Sequence, residues 1–227
     1  ILCIETATYN GSIALFCNGK THVLQLNPEL KHIETLAPEV HKLLAAYLVS
    51  KDQIDAVAVS IGPGSYTGLR IGLSFVKGFA HGLKIPIMAI PTLDILAAAS
   101  FNKYPETECA IPLLDARRME VYTATYPDMK SSPEPRAQVI DDNSFAELMD
   151  QKVVFAGDGT QKVANLLSND LWIFDLDIKL CAGDMIPLAM SRLEQKDFSD
   201  LFELQPFYLK EFAVGKPSQK LKNFLMS

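Results

Sequence analysis

Side chains that bind metals or form disulfides are scarce in this chain of 227 residues. It has four histidines and four cysteines, and no two cysteines form a C-x-x-C pair. His32 and His41 lie nine residues apart in one predicted helix, which places them on opposite faces at 3.6 residues per turn. The sequence therefore predicts no metal site, and we expect the cysteines to be buried free thiols.

Long apolar runs and positive charge are also lacking. No run reaches the roughly 18 apolar residues of a membrane span, and the N-terminal ILCIETAT has neither the charged start nor the cleavage site of a signal peptide. We therefore expect a cytoplasmic protein that does not contact a membrane. The net charge of −6 argues against a broad electrostatic grip on RNA, because such binding depends on clustered lysines and arginines.

The N-terminal half predicts the element order βββαβαβα. Apolar runs at 1–6 and 12–17 predict two strands, and Asn18-Gly19 predicts a type I′ hairpin turn into a third. A helix follows, in which Pro38 must mark a start or a kink. The remaining predicted elements are a strand at 56–61, a helix with glycines at 68, 72, 78 and 82, a strand at 86–90 and a helix from about residue 91.

The C-terminal half repeats this order. Two strands flank the turn in DARRME, RAQVID predicts a third, and NSFAELMD predicts a helix before a final strand, helix, strand and helix. Glu5 and Asp115 end the first strand of each copy. The duplicated α/β unit resembles the actin-like, Hsp70-like (ASKHA) superfamily, which is ribonuclease H-like and binds nucleotide between its halves. We expect an N-terminal subdomain over 1–103 and a smaller C-terminal one over 104–227, with a returning tail.

Two loops of this fold face the predicted cleft. The first, IETATYNGS, could cradle phosphate at Asn10-Gly11, but Ala7 and Tyr9 favour a simple turn. The second, DARRME, has Arg117 and Arg118 where a phosphate-binding loop would have glycines. These arginines either bind an anion or a partner, or form ion pairs with Glu120 or Asp115.

A third loop, GPGSYTG, follows the fourth strand. Its glycine spacing fits neither a Walker A loop nor a nucleophile elbow. Its backbone N–H groups at the start of a helix could hold an anion, and Ser65 or Thr67 could instead be an ordinary N-cap. The residues of this candidate anion or partner loop are Gly62, Gly64, Ser65, Thr67 and Arg70.

The helix after this loop has two apolar stripes, which indicates two neighbours. We expect its own sheet to bury one stripe, formed by Leu69, Leu73, Val76, Ala80 and Leu83. The second stripe predicts a partner interface, with glycines as sockets for large side chains: Gly68, Gly72, Phe75, Phe79 and Gly82. The first helix has a similarly broad apolar arc, which includes Leu36, Val40, Leu43 and Tyr47. The alternative is that the two helices cover each other within one chain.

Five motifs carry a resemblance to a known family: ILCIETAT, GPGSYTGLRIG with KGFAHGL, IPTLD, LLDARRMEVY and QPFYLK. Together they resemble the TsaB family, also called YeaZ, over essentially the whole chain. Such proteins are bacterial subunits in the synthesis of N6-threonylcarbamoyladenosine in tRNA. In the related catalytic subunit, TsaD, an H-x-x-x-H pair binds a metal after the fifth strand. Thr92 and Leu96 stand at those positions here, and neither side chain is an imidazole ligand.

The resemblance implies an accessory subunit without its own chemistry or a tightly bound cofactor. It implies that the two broad helices form the interface for a homodimer and, alternatively, for a TsaD-like catalytic subunit. ATP and metal are then expected on the partner subunits, a TsaE-like ATPase among them, and tRNA contact only through the complex. Two other functions are open: an independent ATPase or kinase of the superfamily, which would need intact phosphate hairpins, and a peptidase, for which no catalytic set is readable.

Overall fold

A computed structural model describes residues 1–210, and its first half forms one five-stranded sheet. The strands are β1 (Leu2–Glu5), β2 (Ser12–Cys17), β3 (Lys20–Gln25), β4 (Val57–Ser60) and β5 (Ile87–Ile90). They lie in the order β3-β2-β1-β4-β5. The first three strands are antiparallel neighbours, whereas β1, β4 and β5 pair in parallel. Asn18 and Gly19 connect β2 to β3 with φ of 50° and 72°, as the predicted type I′ turn requires.

The second half forms a sheet of the same plan. Its strands are β6 (Cys109–Asp115), β7 (Glu120–Thr123), β8 (Arg136–Val139), β9 (Val153–Ala156) and β10 (Trp172–Asp175). Their order, β10-β9-β6-β7-β8, is that of the first sheet with β6 in the place of β1. The predicted duplication is therefore confirmed. The predicted subdomain boundary at residue 103 stays a prediction, and the predicted tail beyond residue 210 lies outside the described residues.

The helices are α1 (His32–Ala46), α2 (Tyr66–Leu83), α3 (Thr92–Lys103), α4 (Thr160–Ala164) and α5 (Ile186–Gln195). Helix α1 begins before Pro38, which lies inside it. The helix predicted at NSFAELMD is wrong, because only a 3-10 turn forms at Ala146–Leu148. Asp141 and Ser144 bond to each other in a local turn, and Phe145 has a φ of 63°, so an α-helix does not continue through them. Within residues 1–210, no helix is long and apolar enough to cross a membrane.

Helix α3 joins the two halves through the hydrophobic core. It is buried along nearly its whole length. Leu93 and Leu96 belong to one cluster with Met88 of the first sheet and with Ala110 and Val154 of the second. The halves therefore share a continuous core, which fixes the cleft between their loops.

Helices α1 and α2 cover each other on the other face of the first sheet. Leu36, Val40 and Leu43 of α1 lie in one buried cluster with Leu73 and Val76 of α2. The expectation that Val40 and Leu43 form a partner interface is therefore wrong, since they are at most 4% exposed within this chain. Leu36 is 2% exposed and reaches the surface only in the lining of a groove between α1 and α2. The alternative, that α1 and α2 bury each other's apolar side chains within one chain, is correct for this part of their surfaces.

The two N-terminal glycines of α2 also face their own chain. A Cβ on Gly68 would lie 2.0 Å from the carbonyl oxygen of Thr6, and a Cβ on Gly72 would lie 2.2 Å from the Thr6 hydroxyl. The Thr6 hydroxyl donates a hydrogen bond to the carbonyl of Gly68 at 2.8 Å. These glycines therefore admit the backbone after β1, and their predicted role as sockets for a partner is corrected.

We expect substitution of two glycines in α2 to have opposite effects. Gly68→Ala places a methyl group against the Thr6 backbone and should lower the free energy of unfolding by at least about 2 kcal/mol. Gly78 is exposed, and a Cβ added to it would have no neighbouring atom within 4 Å, so Gly78→Ala should raise it by up to about 1 kcal/mol. Urea unfolding of both variants measures this. Equal effects would contradict the assigned packing of Gly68.

Candidate functional site

The three loops selected from the sequence meet at one cleft between the halves. Its volume is about 530 Å³. The first loop lines it at 7–9, the GPGSYTG loop at 63–67, and the DARRME loop at 114–117. Tyr122, Asp158 and residues 207–210 complete the lining. Of the predicted anion-loop residues, Gly64, Ser65, Thr67 and Arg117 line the cleft, whereas Gly62, Arg70 and Arg118 do not.

Three backbone N–H donors of the GPGSYTG loop are used within the chain. The Ser65 hydroxyl accepts from Gly68 N at 3.2 Å, which makes it the N-cap of α2. Ser65 N donates to the carbonyl of Ala7, and Gly62 N donates to the Thr92 hydroxyl at 3.0 Å. The N-cap interpretation of Ser65 is confirmed. The N–H groups of Gly62, Ser65 and Gly68 are therefore not available to bind an anion.

A fully buried carboxyl group lies beneath the first loop. Glu5, the last residue of β1, has no exposed surface. Its Oε1 accepts from Ala7 N at 2.5 Å, and its Oε2 has no hydrogen-bond partner among the residues described. Burial raises the pKa of Glu5 to about 8, against the opposing hydrogen bonds from Ala7 and Ser60. Glu5 is therefore mostly protonated at neutral pH.

The carboxylates of the second half are differently placed. Asp115 ends β6, is exposed, and pairs with Lys162 at 2.7 Å. Asp158 accepts from Asp115 N at 2.8 Å, and burial together with the charge of Asp115 raises the pKa of Asp158. The strand-end acids Glu5 and Asp115 thus lie at the predicted positions, but one is buried and protonated and the other is ion-paired.

The β6–β7 turn places two arginines in the left-handed region. Arg117 and Arg118 have φ of 71° and 48°, a conformation that costs a residue other than glycine about 1 kcal/mol or more. Both are exposed. Their predicted alternative, ion pairs with Asp115 or Glu120, is wrong, because Asp115 pairs with Lys162 and Glu120 pairs with Lys210.

Residues 207–210, called the C-terminal segment below, form one side of the cleft. Phe207 N donates to the carbonyl of Ile61 at 2.7 Å, and the Phe207 carbonyl lies so close to Gly62 that a Cβ there would be 2.2 Å away. Arg70 stacks on Tyr66 at 3.9 Å and donates to the Tyr208 hydroxyl at 2.9 Å. Arg70 thus holds this segment. Sequence reasoning used QPFYLK only as a family motif and missed its position in the cleft.

An apolar groove opens between α1 and α2 on the outer surface. Its volume is about 570 Å³. Its lining residues are Ile33, Leu36, Ala37, Tyr66, Thr67, Arg70, Ile71, Ser74 and Phe75. Ile33 is 68% exposed. Leu36 and Phe75 are the residues of the predicted partner interface that line this groove.

The other predicted interface residues differ in their surroundings. Phe75 and Phe79 are half-buried and stack on each other, with ring centroids 5.7 Å apart. Gly82 is exposed, with open space beside it. Tyr47 is 43% exposed and stacks on His22 of β3 at 3.6 Å. These four residues stay candidates for a partner interface.

Thr92 and Leu96, which the resemblance places where TsaD has its two histidines, have structural roles. Thr92 is fully buried at the start of α3, where its hydroxyl accepts from Gly62 N. Leu96 lies in the central core cluster. In the described part of the chain, no group of three or more His, Cys, Asp or Glu side chains is close enough to hold a metal ion.

The duplicated sheets and the cleft between them define an actin-like α/β protein of the ASKHA type. Residues 27–203 match the family model for TsaD, tRNA N6-adenosine threonylcarbamoyltransferase. The chain is 31% identical to the tRNA threonylcarbamoyladenosine biosynthesis protein TsaB of Escherichia coli (strain K12), covering 95% of this chain and 96% of that protein. It therefore belongs to the TsaB (YeaZ) family, as the motifs predict.

Two further comparisons agree. The TsaB protein of Bacillus subtilis (strain 168) is 30% identical, covering 92% of this chain and 93% of its own. The solved structure of YeaZ from Pseudomonas aeruginosa superposes with a TM-score of 0.79 at 26% identity, covering 92% of this chain and 98% of that one. The resemblance thus extends over both halves of the fold.

We expect Glu5 to make stability depend on pH. The folded chain keeps this proton up to about pH 8, whereas the ordinary pKa is 4.5, so unfolding releases a proton between these values. The contribution of Glu5 to the free energy of unfolding is then fully present below pH 4.5. It falls as pH rises through the window, by up to about 1.4 kcal/mol per pH unit. Glu5→Gln stays neutral and should lose this slope.

Urea unfolding at several pH values between about 5 and 8 tests this difference. Glu106→Gln is the matched control, because Glu106 is exposed. The control should keep the slope of the unsubstituted protein. If Glu5→Gln and the unsubstituted protein show parallel pH dependence, Glu5 titrates normally in the folded chain.

Proposed function

We propose that this chain is an accessory subunit in the synthesis of threonylcarbamoyladenosine in tRNA. In this proposal it binds a TsaD-type catalytic subunit and is required, with a TsaE-type ATPase, for threonylcarbamoyl transfer to the adenosine next to the anticodon. It also forms a homodimer through the same surface. We place this role in the cytoplasm. The names of the TsaB relatives support the pathway.

The observation that carries the proposal is the exposed apolar groove between α1 and α2. Ile33 projects from α1 with 68% of its surface exposed, and Ile71 and Phe75 of α2 form the opposite wall. Ser74, Gly78 and Gly82 follow each other at a spacing of four residues and are all exposed, so a second helix backbone can approach α2 closely. A groove with apolar walls beside this row of small residues is typical of a surface that binds an amphipathic helix.

A role without chemistry of its own is supported by the cleft. Thr92 and Leu96 are packed in the core, and three donors of the GPGSYTG loop bond within the chain. Glu5 is buried and retains its proton to about pH 8, which makes it a poor general base at neutral pH. An independent kinase or ATPase would need these groups to be available to substrate.

We expect Ile33→Glu to weaken both self-association and binding of the TsaD-type subunit by at least about tenfold, because a carboxylate would be desolvated in the groove. Leu176→Glu is the matched control. Leu176 is 46% exposed in the second half and lines neither the cleft nor the groove, so the same new charge should leave association unchanged. Light scattering measures both complexes, and tRNA modification by the reconstituted system should fall only with Ile33→Glu.

The melting temperature separates association from folding. Both substitutions are at exposed positions and should change the free energy of unfolding by no more than about 0.5 kcal/mol. Wild-type association of folded Ile33→Glu would place the interface elsewhere. Rapid ATP hydrolysis by the purified chain alone would contradict the accessory role.

A further inference from the structure

Two of the chain's five arginines have no partner side chain within residues 1–210. Arg70 donates to Tyr208, Arg136 donates to Gln138, and Arg192 pairs with Asp197. Arg117 and Arg118 stand side by side in the β6–β7 turn and make no such contact among the residues described. The nearby carboxylates do not occupy them, since lysines pair with both Asp115 and Glu120.

The backbone of this turn would favour other residues. Both arginines have positive φ, as does the Asn18-Gly19 turn of the first sheet, where asparagine and glycine adopt it with little strain. Hydrogen bonds from Arg117 N to Asp115 and from Glu120 N to the Arg117 carbonyl hold the turn. Within residues 1–210 no side-chain contact accounts for arginine at these two positions, and such strain points toward function rather than folding. A function of the two guanidinium groups would therefore explain why arginine occupies these two positions.

The surroundings favour a nucleic-acid ligand. Arg117 lies on the wall of the cleft, which Tyr9, Tyr66, Tyr122 and Tyr208 also line, and Tyr9 is 70% exposed. Guanidinium groups bind phosphate oxygens in a bidentate geometry. Tyr66 and Tyr208 are half-buried against each other and against Arg70, which leaves Tyr9 as the exposed ring. Arginines together with an exposed aromatic ring are typical of surfaces that bind single-stranded RNA, where phosphates contact the cations and bases stack on rings.

We propose that Arg117 and Arg118 bind the phosphate backbone of RNA at the mouth of the cleft. This inference rests on the proposed function, which makes tRNA the polyanion that the complex handles. Because the net charge of the chain is −6, we expect it to contact RNA only at this turn and not over a broad surface. The contact adds to the binding by the catalytic subunit.

The double variant Arg117→Asn/Arg118→Gly separates function from folding. It gives the turn the residues that its backbone favours and removes both guanidinium groups, so the melting temperature should rise by about 2–4 °C. Binding of an unmodified tRNA transcript should weaken at least about tenfold. The slope of log affinity against log salt concentration should fall by about 2. Fluorescence anisotropy measures this for the full chain at low ionic strength and for its complex with the catalytic subunit.

Lys84→Gly/Lys196→Gly is the matched control. Lys84 and Lys196 are exposed, have φ of 57° and 55°, and follow the last residues of α2 and α5. This variant also removes two positive charges and relieves two left-handed residues, but away from the cleft. It should gain stability and keep its RNA affinity. If the control loses as much affinity for tRNA as the arginine variant does, the loss comes from the change in net charge, and the proposal is overturned.

Other outcomes also overturn the proposal. It fails if the arginine variant keeps the wild-type affinity and salt slope, or if the unsubstituted chain binds no tRNA both alone and in the complex. It fails as well if RNA binding is kept but the catalytic subunit no longer binds, since the arginines would then contact an acidic partner surface. Light scattering of the complex reports on the proposed function separately, and the measurement on the chain alone still decides the RNA contact.

Discussion

The contact between Thr6 and the first turns of α2 fixes the geometry on which the rest of the site depends. Thr6 directly follows β1, which is the strand that joins the antiparallel and parallel parts of the first sheet. Its hydroxyl donates to the Gly68 carbonyl, and its own carbonyl occupies the space of a missing Cβ. Two backbones this close leave α2 little freedom to shift. The helix start is therefore held over the end of the central strand.

Because α2 is held there, its first turn forms a wall that two surfaces share. Tyr66 and Thr67 line both the cleft and the groove between α1 and α2. Arg70, one turn further, lines the groove and bonds to Tyr208, which lines the cleft. A partner seated in the groove would therefore contact side chains that also hold the C-terminal segment over the cleft.

Local patterns predicted the elements well, because turn chemistry and periodicity act over a few residues. Asn18-Gly19 forms the predicted turn, and the strand order follows from the repeated unit. The apolar stripe of α2 that begins at Leu69 is buried in the chain's own core, as periodicity predicts. Gly68 and Gly72 belong to the stripe predicted for a partner, but they pack against Thr6 instead. The contact that decides this joins Thr6 to Gly68, 62 residues away, and a helical wheel carries no information about it. The position of Phe207 against Gly62 is equally non-local and left no periodic signal.

The two halves share a close contact made by a glycine after the fourth strand, but they differ in the length of the helix that follows. In the second half, Gly157 follows β9, and its missing side chain admits the carbonyl of Leu113 in β6, 2.3 Å from where a Cβ would lie. In the first half, Gly64 in the loop after the fourth strand similarly admits the carbonyl of Ala7, two residues beyond the end of β1. The helix that follows has 18 residues in the first half and 5 in the second. In the proposed complex, the long α2 beside α1 would supply the surface for a helical partner, for which α4, with 5 residues, is too short. The asymmetry between the copies therefore places the proposed docking surface on the first half, and the second half contributes the arginine turn.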